Sequence, residues 1–136
     1  MDTNKAANPT RGQLERTLSQ RIQAFYKERI GHQPSKVTCQ LFDEKLAIIL
    51  EDSITNAEEL LLEEGQKDLA KKVRISLDDA IKPKLITLIE EILEVEVTDL
   101  LSDSTLETSR TGTIAVLANT PEVRNPESIP KLKKKQ

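Results

Sequence analysis

Apolar residues recur at steps of four, four and three through Leu14, Leu18, Ile22 and Phe25, and Tyr26 and Ile30 widen the stripe. That spacing lines one face of a helix and predicts one over 11–30. Gly31 stands where a glycine cap closes a helix, and Pro34 stops it from resuming. The period then shortens to two. Val37, Cys39 and Leu41 alternate with Thr38 and Gln40, the pattern of a half-buried strand. Asp43-Glu44 makes a short turn, and 46–50 reads as a second, more buried strand. The tight spacing predicts an antiparallel hairpin.

A long helical block follows over 56–94, opened by the capping-box pattern Thr55-x-x-Glu58. Unbroken, it would reach roughly 58 Å. A compact chain of this length is only roughly 37 Å across. Two residues can break it. Gly65 weakens a helix interior, and Pro83 removes a backbone hydrogen bond and crowds the preceding turn. Leu62, Leu69, Val73, Leu77 and Ile81 share one side, whereas Ile81, Leu85, Leu88 and Ile92 follow a stripe rotated by roughly 70°. The expectation is a short helix to residue 63, then a long helix over 66–94 kinked at Pro83. Ile86, Ile89 and Leu93 add a second apolar edge. Ile81, Leu85, Ile86, Ile89 and Leu93 are therefore the candidate interface, covered by the sheet on one side and by a second copy or a partner on the other.

Val95 and Val97 open a third strand reaching residue 101 or somewhat beyond, and 113–118 reads as the fourth. The polar stretch between them reads as a long hairpin connection. The order α-β-β-α-β-β gives an α+β fold, with one antiparallel four-stranded sheet packed on one face by helices. Polar, proline-bearing ends frame it. Segment 1–10 and the Pro/Lys-rich tail 119–136 are expected to be disordered and to lack core-forming residues, leaving a single domain over 11–118.

Composition narrows the chemistry. The chain has 136 residues, no Trp, one Tyr and two Phe, so Leu, Ile and Val must build the core. Net charge is −3, but segment 51–96 holds thirteen acids against six bases, a local −7. Such a face repels a phosphate backbone and argues against nucleic acid. Cys39 is alone, which excludes an intrachain disulfide and fits a reducing, cytoplasmic setting. The longest apolar run is far short of the ~20 residues a membrane span needs, so direct membrane insertion is not expected.

Catalytic groups do not assemble in the sequence. His32 is the sole histidine and reads as a surface or capping residue; with no second ligand set it makes no zinc site. Cys39 reads as a buried small hydrophobe. Glu90, Glu91, Glu94 and Glu96 cluster at the helix end unfavoured by the dipole and read as a solvated face, with a cation or basic partner as the sharper reading. Ser102, Asp103, Arg110, Thr111 and Gly112 form the candidate ligand or turn site. No cofactor or metal is called for, and no enzymatic activity is expected. Lys131, Lys133, Lys134 and Lys135 read as a solubilising tail.

Several short stretches together resemble the MpsC-like family: Tyr26-Lys27-Glu28-Arg29-Ile30-Gly31 with Pro34 and Val37, then Ile54-Thr55-Asn56-Ala57-Glu58, Gly65, Val73-Arg74, Lys82-Pro83, Leu100-Leu101-Ser102-Asp103 and Thr111-Gly112. The family often has proline where this chain has Asn56. The resemblance implies a small soluble accessory of a bacterial Na+-translocating, membrane-potential-generating system linked to inorganic-carbon uptake. It identifies no catalytic residue. Combined with the residue reading, it predicts a dimeric protein acting through contacts, cytoplasmic or peripheral to the membrane through a membrane-protein partner. The alternative is a dimeric regulator that binds a small ligand without catalysis.

Overall fold

The computed structural model describes residues 7–131. Helix α1 spans Arg11–Ile30; Thr10 caps it through a reciprocal capping box with Gln13, and Gly31 closes it at φ +80°. A left-handed residue there favours glycine, which has no Cβ to clash. Strands β1 (Lys36–Phe42) and β2 (Lys45–Glu51) form the expected hairpin. Helix α2 (Asn56–Glu63) starts on the Thr55–Glu58 capping box. Gly65, at φ +75°, ends it and separates it from α3 (Lys67–Leu93). Strands β3 (Val97–Thr105) and β4 (Arg110–Leu117) complete a four-stranded antiparallel sheet of order β1-β2-β4-β3. The α+β fold and the element order are those the pattern predicts.

Helices α1 and α3 pack against the sheet's inner face. One cross-strand row there is Leu41, Leu46, Ala115 and Leu100, all buried. Leu18, Ile22, Leu85 and Ile89 descend on it from the helices. Such alternation is what one covered face of an antiparallel sheet requires.

The structure differs from the expectation in four places. First, β3 runs to Thr105 and β4 begins at Arg110, so most of the presumed connection is strand. Its hydroxyls pair across the ladder: Ser102 with Thr113 at 3.0 Å and Ser104 with Thr111 at 2.7 Å. Cross-strand hydroxyl pairs hold a sheet together without any apolar signal in the sequence.

Second, the inner face of α3 does not rotate. Its buried positions are Ala70, Arg74, Ile81, Leu85, Leu88, Ile89 and Leu93, one continuous helical stripe, while Leu69 is 46% exposed. The apparent rotation comes from reading the apolar residues alone; Arg74 and half-buried Asp78 occupy the inner face of the first half. Pro83 lies within the helix on its exposed side, where water can serve the carbonyl it leaves unpaired.

Third, the candidate interface has little surface left to offer. Ile81, Leu85, Ile89 and Leu93 are at most 6% exposed, and Ile86 is partly buried against the same core. α1 and the sheet already cover them.

Fourth, residues 119–131 contribute to the core. Val123 and Ile129 are 3% and 2% exposed within the main cluster, flanking a single 3-10 turn, Pro126–Ser128. The segment is tied back by Arg124 N–H to the Pro9 carbonyl and by Asp43 N–H to the Pro130 carbonyl. Two isolated apolar residues between prolines carry no period, so only docking shows their role. Lys133, Lys134 and Lys135 lie outside the described residues, as do residues 1–6.

Candidate functional site

A groove runs between the first half of α3 and the edge strand β3. Its larger part is a cavity of about 460 Å³, and its walls include Lys71, Ile75 and Asp78 from the helix and Ser102, Asp103 and Leu106 from the strand end. A smaller part of about 260 Å³ continues past Asp78 and Ser102 towards Tyr26 and Leu85.

A buried ion network forms the back of this region. Arg74 donates from Nε to Glu58 Oε2 at 2.8 Å and from Nη2 to Glu58 Oε1 at 2.6 Å. It also reaches the Ser53 carbonyl at 3.0 Å and Asp78 at 3.2 Å. Glu58 is fully buried and serves three tasks at once: helix cap, acceptor from the Thr55 hydroxyl, and counter-ion. Burial alone would raise its pKa, but the hydrogen bonds from Arg74 and Thr55 outweigh that and hold it below the ordinary value of 4.5. Asp78 goes the other way, because burial outweighs its pairing with Arg74. Among the described residues no buried side-chain polar atom lacks a partner. Arg74 is thus a structural clamp whose donors are largely spent.

The clamp fastens three segments. Ser53, after β2, is buried and its hydroxyl meets Thr111 at 2.8 Å. The Ser109 carbonyl and hydroxyl, at the β3–β4 turn, accept from Ser53 N–H and Ile54 N–H at 2.9 and 3.1 Å. Ser109 adopts φ +58° to do so. Ile54, Ala70 and Leu106 form a small second apolar cluster beside it.

The structure divides the five residues of the candidate ligand or turn site. Ser102 and Thr111 point their hydroxyls into the inner-face ladder, and Asp103 accepts from Ser104 N–H at 2.9 Å. Ser102 and Asp103 line the groove. Arg110 pairs instead with Glu51 at 2.7 Å on the other face, and Gly112 lies beneath Ile49 there. Glu58 and Arg74, which organise the region, escape a search for chemistry by residue type. Their signal is positional: Arg74 sits four residues before Asp78 and four after buried Ala70.

The remaining candidates are placed individually. His32 Nε2 lies 2.7 Å from the Asp52 carbonyl, to which its ring N–H donates. Cys39 is buried, and that burial pushes its thiol up to about 11, away from nucleophilic use. The acidic cluster disperses: Glu90 accepts from Val97 N–H, and Glu91 meets Arg21 at 3.2 Å in an exposed pair.

The model of the family described as "Na+-translocating membrane potential-generating system (MpsC)" matches residues 10–119. The chain belongs to the MpsC family. The match extends from the cap of α1 to just past β4, so it includes the whole sheet, the groove and the Glu58–Arg74 clamp. No curated protein and no solved structure matches the chain. No helix among the described residues is long and apolar enough to cross a membrane.

Proposed function

We propose that this MpsC-family chain is a non-enzymatic accessory that works through protein contacts, as a dimer, in a Na+-translocating, membrane-potential-generating system linked to inorganic-carbon uptake. The family match over 10–119 carries this reading. The described helices offer no membrane span, which favours a partner as the part that conducts the ion. In this reading the chain sits in the cytoplasm, or against the membrane by way of that partner. The interior supports a scaffold role: its buried polar atoms satisfy one another, and its one thiol is buried.

The test is crosslinking in cells followed by isolation of the tagged chain from membranes. Recovery of one integral membrane protein, abolished by surface variants that leave the fold intact, is expected. Recovery only as free chain from every fraction would remove the reading.

The groove favours a second reading, a regulator that binds a small ligand between α3 and β3. A thermal-shift screen of small anions and metabolites tests it, because a ligand that prefers the native state raises the melting temperature. A screen without hits argues against it.

A further inference from the structure

We propose that the outer face of the sheet is the interface of a homodimer, with a two-fold axis running parallel to the strands. This rests on the dimeric reading above and adds its surface and geometry. The outer face carries Ala47 and Ile49 on β2 opposite Ile114 and Gly112 on β4. Leu101 follows on β3, paired with Ile114. Ile49 is 41% and Leu101 57% exposed, so the helices, which pack on the inner face, leave this one open. Apolar side chains gathered on an open sheet face mark a contact surface.

Pairing at the sheet edges is hindered, which favours the face. On edge strand β3, Asp99 and Asp103 each accept the next residue's N–H, from Leu100 and Ser104, both at 2.9 Å. On edge strand β1, the Glu15 carboxylate takes Leu41 N–H at 2.8 Å. Charged groups that occupy edge donors hinder strand addition.

The charge pattern then selects the second copy as occupant and fixes the axis. Lys36 and Lys45 lie on the β1–β2 side of the outer face, Asp99 and Asp103 on the β3 side. A two-fold axis along the strands lays β1 over the partner's β3, setting the basic side of each copy on the acidic side of the other. It also sets Glu51 opposite the other copy's Arg110, Ile49 opposite its Gly112 and Ala47 opposite its Ile114, so large meets small in both apolar rows. An axis across the strands would lay β3 on β3 and bring the aspartates together. Stacked sheets pack about 10 Å apart, which these side chains span. Four strands and four rows give roughly 400 Å² per copy, about half a standard interface, so the dimer is weak and concentration-dependent.

Sedimentation velocity over a concentration series tests this. The full chain is expected to pass reversibly from monomer to dimer. Leu101→Lys should weaken dimerisation by at least about thirtyfold, because it buries an ammonium between the sheets and neutralises the acidic side that Asp99 and Asp103 present to the other copy, with an unchanged circular dichroism spectrum. Lys36→Glu with Lys45→Glu, and separately Asp99→Lys with Asp103→Lys, should each be monomeric, and their equimolar mixture should dimerise again. If the aspartate swap fails to fold, Asp99→Asn with Asp103→Asn keeps the edge acceptors and should still weaken the dimer. A dimer untouched by Leu101→Lys overturns this face while leaving the dimeric reading intact. Monomeric swaps that never recombine overturn the axis. A wild-type chain that stays monomeric overturns the proposal and the dimeric part of the reading; membrane recovery then decides the accessory part separately.

Discussion

In its second half, α3 lays Ile81, Leu85, Leu88, Ile89 and Leu93 against α1 and the sheet, a buried aliphatic contact whose polar partners, Glu90 and Glu91, lie at its margin. In its first half, the same helix turns Ala70, Arg74 and Asp78 inward and is held by the Glu58 carboxylate and the Ser53 carbonyl. The aliphatic end gains from area removed from water, which is non-directional and forgiving of small shifts. The polar end depends on bond geometry in a place where an unpaired charge is costly. One helix thus joins a core that tolerates repacking to a clamp that does not. Through Glu58 the clamp ties α2 to α3, and through the Ser53 carbonyl it reaches the segment whose N–H groups hold the β3–β4 turn.

Removing one partner from the clamp should break the contrast most sharply. Arg74→Ala leaves Glu58 buried without its counter-ion and should cost about 3–5 kcal/mol in urea unfolding. Glu58→Leu combined with Arg74→Met should cost far less than Arg74→Ala alone, since it removes both charges. Leu18→Ala, on α1 in the same aliphatic core that covers the second half of α3, should cost about 2–5 kcal/mol, with the value set by how far the cavity collapses. If the double variant proves as damaging as Arg74→Ala, directional bonding at the polar end is worth more than apolar replacement, and the contrast sharpens.

A smaller effect is expected at Thr55. Its replacement by Ala removes the α2 cap and one Glu58 contact, costing about 1 kcal/mol by the same measurement.

The pH dependence is the subtlest test. Glu58 has a folded pKa below its unfolded value, so its contribution is present above the unfolded pKa and fades as pH falls through the folded one. Asp78 has a raised folded pKa, so its contribution is present below the unfolded value and is lost as pH rises through the folded one. The two oppose each other on the acid limb. Asp78→Asn should therefore steepen the loss of stability below about pH 4.5, followed by urea midpoints across pH. An acid limb of unchanged slope would show that burial of Asp78 has no thermodynamic weight.

Local chemistry made much of this legible in the sequence. The stripe and glycine cap of α1, the β1–β2 alternation, the Thr55–Glu58 box and the Gly65 break all depend on neighbours within a few residues. The strand extensions through Ser102, Ser104 and Thr111 did not, because hydroxyl-rich residues resemble a turn until a facing strand supplies their partners. The groove residues Ser102 and Asp103 were visible by type, but nothing local marked Arg74 as buried, because Glu58 and Ser53 lie sixteen and twenty-one residues away and only Asp78 is near in the chain.

What the sequence determined by itself is the order of elements, their caps and breaks, and the alternation that gives the sheet one apolar inner face. These follow from periods and end groups that act within a few residues. Only the tertiary structure decided that Arg74 and Asp78 turn inward, that Val123 and Ile129 join the core, and that the second half of α3 is covered by its own chain. Burial of a charge or of an isolated apolar residue depends on what distant segments bring to it. The same is true of the outer sheet face, where Ile49 and Leu101 become neighbours of Gly112 and Ile114 only once four strands have paired.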